Sequence, residues 1–328
     1  PWNFPIAMGT RKLAPALAAG CTVVLKPASD TPLAALALAD LFEEAGCPPG
    51  VINVVPAGRS GEVVAAMMAD RRVRKLSFTG STETGKLLLA AASKRVLSTS
   101  MELGGNSPFI VLADADLDAA VDGAMEAKMR NAGEACTAAN RFYVEAPIAD
   151  EFTDRLSAAM GALRVGSGME RGVDVGPLIN AATRDKVAEL VENAAESGTI
   201  TTGGKAPKRK GYFYLPTVIK DVARGAGILA TEIFGPVAPI VRFDDVDDAV
   251  EQANDTELGL VAYLYTTDER RGMAIAERLE SGMIGLNRGL ISDPAAPFGG
   301  VKESGLGREG SHHGMHEFLE PKYIGANW

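Results

Sequence analysis

Cysteine is scarce. Cys21, Cys47 and Cys136 are the only three in 328 residues, too few and too scattered for a disulfide framework or a zinc site built on cysteine pairs. A reducing, cytoplasmic setting is therefore expected. Histidine is equally scarce: His312, His313 and His316 all fall in "SHHGMH". Their spacing resembles a metal motif, but no Asp or Cys set accompanies them, so no metal site is expected. They also lie too far along the chain to serve Cys136 in the way a cysteine hydrolase requires. Long apolar runs are missing; the longest, around "APALAAGCTVVL", is too short to span a bilayer. Nothing resembles a signal peptide or lipidation motif, although the chain opens on Pro1 and a targeting segment ahead of it stays open. Positive charge is in deficit as well. A net charge of −9 and a pI near 5.1 argue against nucleic acid or an anionic membrane as the main partner, since either needs a basic surface.

Two nucleotide-binding signatures are also absent. The G-x-G-x-x-G dinucleotide fingerprint does not occur, so a dinucleotide has to lie differently from the usual Rossmann mode. Gly80 to Lys86 matches most of a triphosphate loop, but Leu87 follows where a Ser or Thr must reach magnesium. A phosphate-loop NTPase is disfavoured accordingly.

What is present is apolar material and glycine: 46% hydrophobic residues and 36 glycines, enough for two globular domains. Short β-rich runs alternate with helical ones through the first hundred residues: "CTVVLKP", Pro32 to Ala45, "VINVVP", Gly61 to Ala69, "VRKLSFTG", Thr82 to Lys94. This is a parallel α/β pattern. Leu33, Leu36, Ala37 and Leu41 fall on one face of the helix from Pro32, Thr31 is placed to cap it and Gly46 to end it. A second series follows "MELGG": a strand in "SPFIVLAD", a helix from Asp116 to Arg130, a strand in "RFYVEA", a helix from Ala149 to Leu163, and a helix through Val187, Leu190, Val191 and Ala194. Further strands are expected in "APIVRF", "LVAYLYT", "MIGLN" and, at an edge, "EPKYIGAN". The domains are read as 1–104, 105–303 and a return segment 304–328.

Three stretches invite chemistry. "LSFTGSTETGKL" sets a glycine-bounded turn between strand and helix, where N–H groups and the helix dipole hold phosphate or merely shape the turn. Cys136, in "MRNAGEACTAANR", has small neighbours that leave room for a substrate carbon; it is either a nucleophile or one more buried thiol. Glu102, in "MELGGN", is either a capping or salt-bridge group or a buried general base.

Taken together, "PWNFP", "KPASDTP", "FTGSTETG", "MELGGN", "GEACTAANR", "EIFGP" and "PFGGVKESGLGREG" resemble the aldehyde dehydrogenase superfamily in order and spacing, over nearly the whole chain. Within it the likeness is greatest to the succinate-semialdehyde dehydrogenases of NADP type, through "RNAGEACTAANR", "GLIS" and "APFGG". The resemblance implies two doubly wound parallel α/β units, a partial cofactor domain and a catalytic domain, with a C-terminal oligomerisation strand. It implies that Cys136 attacks the aldehyde carbon, that the Asn3 side-chain amide and the Cys136 N–H form the oxyanion hole, and that Glu102 activates the hydrolytic water. It places Lys26 and Ser29 at the adenosine ribose, Gly80 and Ser81 near the pyrophosphate, and Glu232 and Phe234 at the nicotinamide ribose and ring. Arg11, Arg130 and Ser292 match residues that hold a distal carboxylate, which guanidinium groups meet bidentately, and Phe298 matches an aromatic of the aldehyde tunnel. A homo-oligomer, dimer or tetramer, is implied too.

Departures from the family pattern shape further expectations. NAD-selective relatives carry a glutamate where this chain has Ser29, so NADP is expected, with NAD as the alternative and Asp30 as a complication if it turns into the same pocket. Arg288 in "NRG" is an extra cation that favours another dicarboxylic semialdehyde or else faces away. Ala138 stands where several relatives have a second cysteine, so no local disulfide switch is expected. Relatives also have a long segment ahead of "PWNFP". The chain is thus expected to be a fragment or a truncated product with apolar surface left uncovered, and a catalytically impaired structural remnant is the alternative function.

Overall fold

The computed structural model describes residues 1–328, which divide into two compact units. The first comprises Pro1–Leu103, Ser292–Gly299 and Gly305–Trp328; the second comprises Gly104–Ile291 and Gly300–Ser304. No helix is long and apolar enough to cross a membrane.

In the first unit α1 (Pro5–Ala18) and α2 (Pro32–Glu44) each begin on a proline, whose fixed φ suits the first turn and whose missing N–H is no loss there. β1 (Val23–Leu25) pairs in parallel with β2 (Ile52–Val54). After α3 (Ser60–Ala69), β3 (Lys75–Thr79) runs parallel to β4 (Ser98–Glu102), with α4 (Thr82–Ser93) between them. The two-residue strand Gly305–Leu306 returns antiparallel to β4. Gly46 ends α2 as expected, with the Cys47 N–H reaching back to the Phe42 carbonyl at 2.9 Å. Two other expectations for α2 fail. Thr31 makes no side-chain cap bond and its hydroxyl is buried without a partner. The face carrying Leu33, Leu36, Ala37 and Leu41 is exposed; the buried residue is Ala35, and Leu38 lies against Gly9 of α1. A helix with leucines on both sides leaves the choice of face to its neighbours, and periodicity does not decide it.

The second unit is built on a seven-stranded sheet ordered Met283–Leu286, Val261–Tyr265, β5 (Ser107–Val111), β6 (Ala139–Glu145), β9 (Val237–Phe243), β8 (Thr217–Lys220) and β7 (Thr199–Thr202). Every pair is parallel except β7 with β8. α5 (Leu117–Met129), α6 (Ala149–Gly161) and α7 (Ala181–Ala194) belong to this unit. Its core gathers Ile110, Tyr143, Val187, Val191, Val241 and Leu264 among others. Central strands buried throughout, such as β5 and Val261–Tyr265, explain the near-continuous apolar runs of the sequence. Asp116 caps α5 with its carboxylate on the N–H groups of Asp118 and Ala119.

One expected element is not formed. "EPKYIGAN" has no strand, and Tyr323 and Ile324 are exposed. Extended chain becomes a strand only where a neighbour accepts its N–H and C=O groups, and no ladder partner meets this segment in a single chain.

Candidate active site

In the first unit Glu102 closes β4, paired with Thr79 of β3. It is 4% exposed, and both its oxygens are buried without a hydrogen-bond partner. Desolvation, reinforced by the charge of Glu309, pushes its carboxyl up to about 9 against the pull of Lys12, Arg11 and Arg308. Close packing keeps the carboxylate dry: a Cβ on Gly299 would stand 2.8 Å from Oε1. Lys12 of α1 donates to Thr79 Oγ1 at 2.5 Å and forms an ion pair with Glu309. Lys12 and Glu309 were not singled out from the sequence. "RK" and "GREG" sit almost 300 residues apart, and only the fold joins them beside a shared carboxylate.

Arg11 and Phe298, both expected at the substrate, come together here: the guanidinium carbon lies 4.2 Å from the ring centroid. Arg11 Nη1 is buried with no hydrogen-bond partner. Stacking covers one face of the guanidinium. Asn3 and Ser292 belong to the same unit, in chain outside regular elements.

The residues expected at the cofactor in this unit form a second group. Lys26 Nζ donates to Ser60 Oγ at 2.8 Å, and Ser29 Oγ lies 3.4 Å from the same hydroxyl while donating to the Ala57 carbonyl. Ser60, at the start of α3, was missed in the sequence because nothing local marks it. Burial alone lowers the Lys26 ammonium, with no carboxylate opposing it, and Asp30 is exposed. Gly80 and Ser81 open α4: the Gly80 N–H donates to the Glu102 carbonyl, and the Ser81 hydroxyl caps the helix on the Thr84 N–H.

In the second unit the loop before Cys136 is set by a sharp reversal. α5 ends at Met129, and Asn131, Ala132 and Gly133 follow with φ of 53°, 55° and 77°. Left-handed backbone is costly for the two residues with a Cβ. The Asn131 amide secures the turn by donating to the Glu134 carbonyl at 3.1 Å. Gly133 is required by space as well as by φ, since a Cβ would come 2.2 Å from the Gly235 carbonyl of "EIFGP". Cys136 is half-buried and in no disulfide. The next residue is fixed by Tyr263, whose hydroxyl donates to the Thr137 carbonyl at 2.7 Å.

Gly105 of "MELGGN" links two expected site residues. A Cβ there would stand 2.3 Å from the Cys136 carbonyl, while its N–H donates to Glu232 Oε1 at 3.0 Å. Polar motif residues lash the same strands together. Asn140 Nδ2 donates to Asn106 Oδ1 and the Thr231 carbonyl, the Ile233 N–H donates to Asn140 Oδ1, and the buried Arg141 spends its donors on Asn106, Gln252 and Ala253 carbonyls. Phe234 holds a left-handed φ of 54°. Arg130 is exposed, as is Arg288, whose Nε donates to the Leu290 carbonyl two residues on. Glu134 was overlooked in the sequence: it is buried, accepts the Ile179 N–H, and desolvation pushes it up to about 7.

Known proteins place these units in context. The model of the aldehyde dehydrogenase family matches residues 1–324. A succinate-semialdehyde dehydrogenase of Paenarthrobacter nicotinovorans is 56% identical over 326 residues, 99% of this chain and 72% of that protein. A glutarate-semialdehyde dehydrogenase of Pseudomonas aeruginosa is 52% identical over 325 residues, 99% of this chain and 67% of that one. Among solved structures, an NADP-dependent enzyme of Escherichia coli superposes with a TM-score of 0.97 at 52% identity, covering 99% of this chain and 67% of its own. Agreement of that extent in sequence and backbone, over the same motifs that bring Gly105, Cys136 and Glu232 together, shows that this chain belongs to the aldehyde dehydrogenase family.

Proposed function

We propose that the chain oxidises succinate semialdehyde to succinate with reduction of NADP, NAD being the alternative cofactor. The observation that carries the substrate is the Arg11 guanidinium, stacked on Phe298 with a buried, unpartnered Nη1. A neutral aldehyde leaves that charge unpaired, whereas the distal carboxylate of a semialdehyde satisfies it. Arg130 and Ser292 are assigned to the same carboxylate.

The Cys136 thiolate attacks the aldehyde carbon, forming a C–S bond and an oxyanion held by the Asn3 amide and the Cys136 N–H. NADP, when bound, supplies the acceptor for the hydride that leaves this carbon, and a thioester on Cys136 remains. Glu102 takes a proton from water, whose oxygen attacks the thioester carbon; the C–S bond breaks and the acid departs. The group at Lys26 suits NADP, because an ammonium and two hydroxyls, Ser29 and Ser60, converge with no opposing carboxylate. Gly80 and Ser81 are assigned to the pyrophosphate, and Glu232 and Phe234 to the nicotinamide half. Glutarate semialdehyde is the second reading, favoured by the 52% identity to an enzyme of that name. We assign the assembled state to a homo-oligomer, dimer or tetramer, formed through the exposed segment 320–327, and the location to the cytoplasm, where a nucleophilic thiol stays reduced.

The test is nicotinamide reduction by this chain with succinate, glutarate and neutral semialdehyde analogues, each with NADP and NAD, beside Cys136→Ala. Cysteine-dependent turnover greatest with succinate semialdehyde and NADP is expected. Equal turnover of a neutral aldehyde of the same length refutes the assignment of the substrate.

A further inference from the structure

Asn140 lies on β6, four positions after the thiol. Asparagine is a poor strand former, and one that is 3% exposed must place its amide donors and acceptor inside the protein. Asn140 places all of them, and two of its bonds fall on either side of Glu232. Its Nδ2 donates to the Thr231 carbonyl at 2.9 Å, and its Oδ1 accepts the Ile233 N–H at 3.0 Å. The other Nδ2 hydrogen goes to Asn106 Oδ1 at 2.6 Å.

Backbone groups fix the polarity of this amide. Asn106 Nδ2 donates to the Leu229 carbonyl at 2.9 Å, so the oxygen of Asn106 is the end that faces Asn140. That oxygen and the Thr231 carbonyl can only accept, and the Ile233 N–H can only donate. A side-chain amide supplies the two donors and one acceptor required, which neither a carboxylate nor an apolar side chain of the same shape can do. Asn106 is held in turn, its carbonyl accepting from Arg141 Nε at 2.9 Å. The N–H of Gly105, just before it, donates to Glu232 Oε1 at 3.0 Å. Gly105 therefore grips the Glu232 carboxylate, and Asn140 grips the backbone on both sides of it. The segment needs such a grip, because Phe234 follows with a φ of 54°, a conformation that a residue with a Cβ keeps only where its surroundings enforce it. Lys186 also donates to the Glu232 carbonyl, at 3.1 Å, but from an exposed side chain for which water competes. The bonds of Asn140 are shielded from that competition.

We infer that Asn140 is a positioning residue for Glu232: its buried amide clamps the peptide groups before and after that residue and so sets where the carboxylate meets the cofactor's nicotinamide ribose. The inference rests on the assignment of Glu232 to that ribose. Asn140→Asp keeps the shape and the acceptor for the Ile233 N–H but turns a carboxylate oxygen towards two other oxygens, and Asn140→Leu keeps the approximate shape with no polar atom.

The experiment compares the wild-type chain with Asn140→Asp, Asn140→Leu, Glu232→Gln and the Asn140→Asp/Glu232→Gln double variant. Hydrogen exchange of residues 231–235 is read without cofactor, NADP dissociation constants by calorimetry, and folding by circular dichroism. The steady-state kcat is read with ordinary and aldehyde-deuterated succinate semialdehyde. Both Asn140 variants are expected to exchange at least tenfold faster in 231–235, to bind NADP at least threefold more weakly and to lose at least tenfold in kcat. Their isotope effect on kcat should rise, because a loosely held nicotinamide makes hydride transfer the slow step. In the Glu232→Gln background Asn140→Asp should change kcat less than twofold. Faster exchange with NADP affinity, kcat and isotope effect within twofold of wild type makes the amide a structural tie only and overturns the inference. The same fold-loss from Asn140→Asp in both backgrounds overturns it too, since the amide then acts other than through Glu232. An unimpaired Glu232→Gln overturns the assignment of Glu232 first and this inference with it. If only one Asn140 variant folds, that variant decides by the same criteria; if neither folds, the amide serves the core and the inference falls.

Discussion

Glu102 must be ionised before it can take a proton from water, and the first unit holds that proton on it up to about pH 9. Part of this resistance is the like charge of Glu309, which Lys12 only partly offsets. The sign of a Glu309→Gln change follows. Removing a negative neighbour and releasing the Lys12 cation both favour the Glu102 anion, so the rising limb of kcat, which follows ionisation of this base, should move to lower pH, by about one pH unit. A pH–rate profile under conditions where thioester hydrolysis limits turnover checks this, and a limb that stays or moves upward contradicts the origin given for the shift. Arg11 gives the companion prediction. With its partner carboxylate facing no cation, Arg11→Leu should cost about 2 kcal/mol or more in kcat/KM for succinate semialdehyde, about 30-fold, and far less for a neutral aldehyde. Equal losses on both substrates would assign Arg11 to the packing of Phe298 alone. Cys136 and Glu102 were candidates at this scale because each sits inside a distinctive motif. Lys12, Glu309 and Ser60 were not, since what makes them part of a site is a neighbour far away in the chain.

The elements that position the thiol depend on backbone that only certain residues tolerate. Asn131, Ala132 and Gly133 turn left-handed in succession, and Gly133 also passes the Gly235 carbonyl too closely for any side chain. Gly133→Ala should therefore destabilise the fold by about 2 kcal/mol or more and depress activity, because the loop cannot relax without moving Cys136. Gly168→Ala, where a Cβ meets nothing within 4 Å, is the control and should stay within about 0.5 kcal/mol of wild type. Thermal unfolding of the two variants side by side decides it; matching melting temperatures would show that the loop yields freely. Helices such as α5 and α6, and the buried strands of the large sheet, could be read from periodicity because each has one evident apolar face or none that is polar. The outward face of α2 could not, being apolar on both sides, and neither could the reversal before Cys136, since Ala132 carries no signal for positive φ. The missing strand at the C-terminus illustrates the same limit: β-rich composition states a tendency, and pairing requires a partner.

At the scale of the whole molecule the two units bury their apolar residues very unequally. In the second, Phe109, Ile110, Val111, Phe142 and Val144 are completely enclosed, and five adjacent strands pair in parallel around them. In the first, β1 and β2 are three residues each, Val24 is 44% exposed, and Leu33, Leu41 and Leu87 lie at 76%, 60% and 69%. Apolar area left in water contributes nothing to stability, at about 25 cal/mol for each Å² not buried. Local opening of β1 and β2 should accordingly cost much less than opening of the large sheet. Hydrogen exchange measures the difference directly. The amides of β5 and β6 should exchange slowest in the chain, and those of β1 and β2 about a hundredfold or more faster, a gap of about 3 kcal/mol. Because Lys26 and Ser29 follow β1 directly, NADP binding to that group should slow exchange in β1 and β2 by the factor its concentration over Kd dictates. Protection confined to the second unit on adding NADP would remove Lys26 and Ser29 from the cofactor site, and equal basal protection in β1 and β5 would refute the unequal stability that the burial pattern implies.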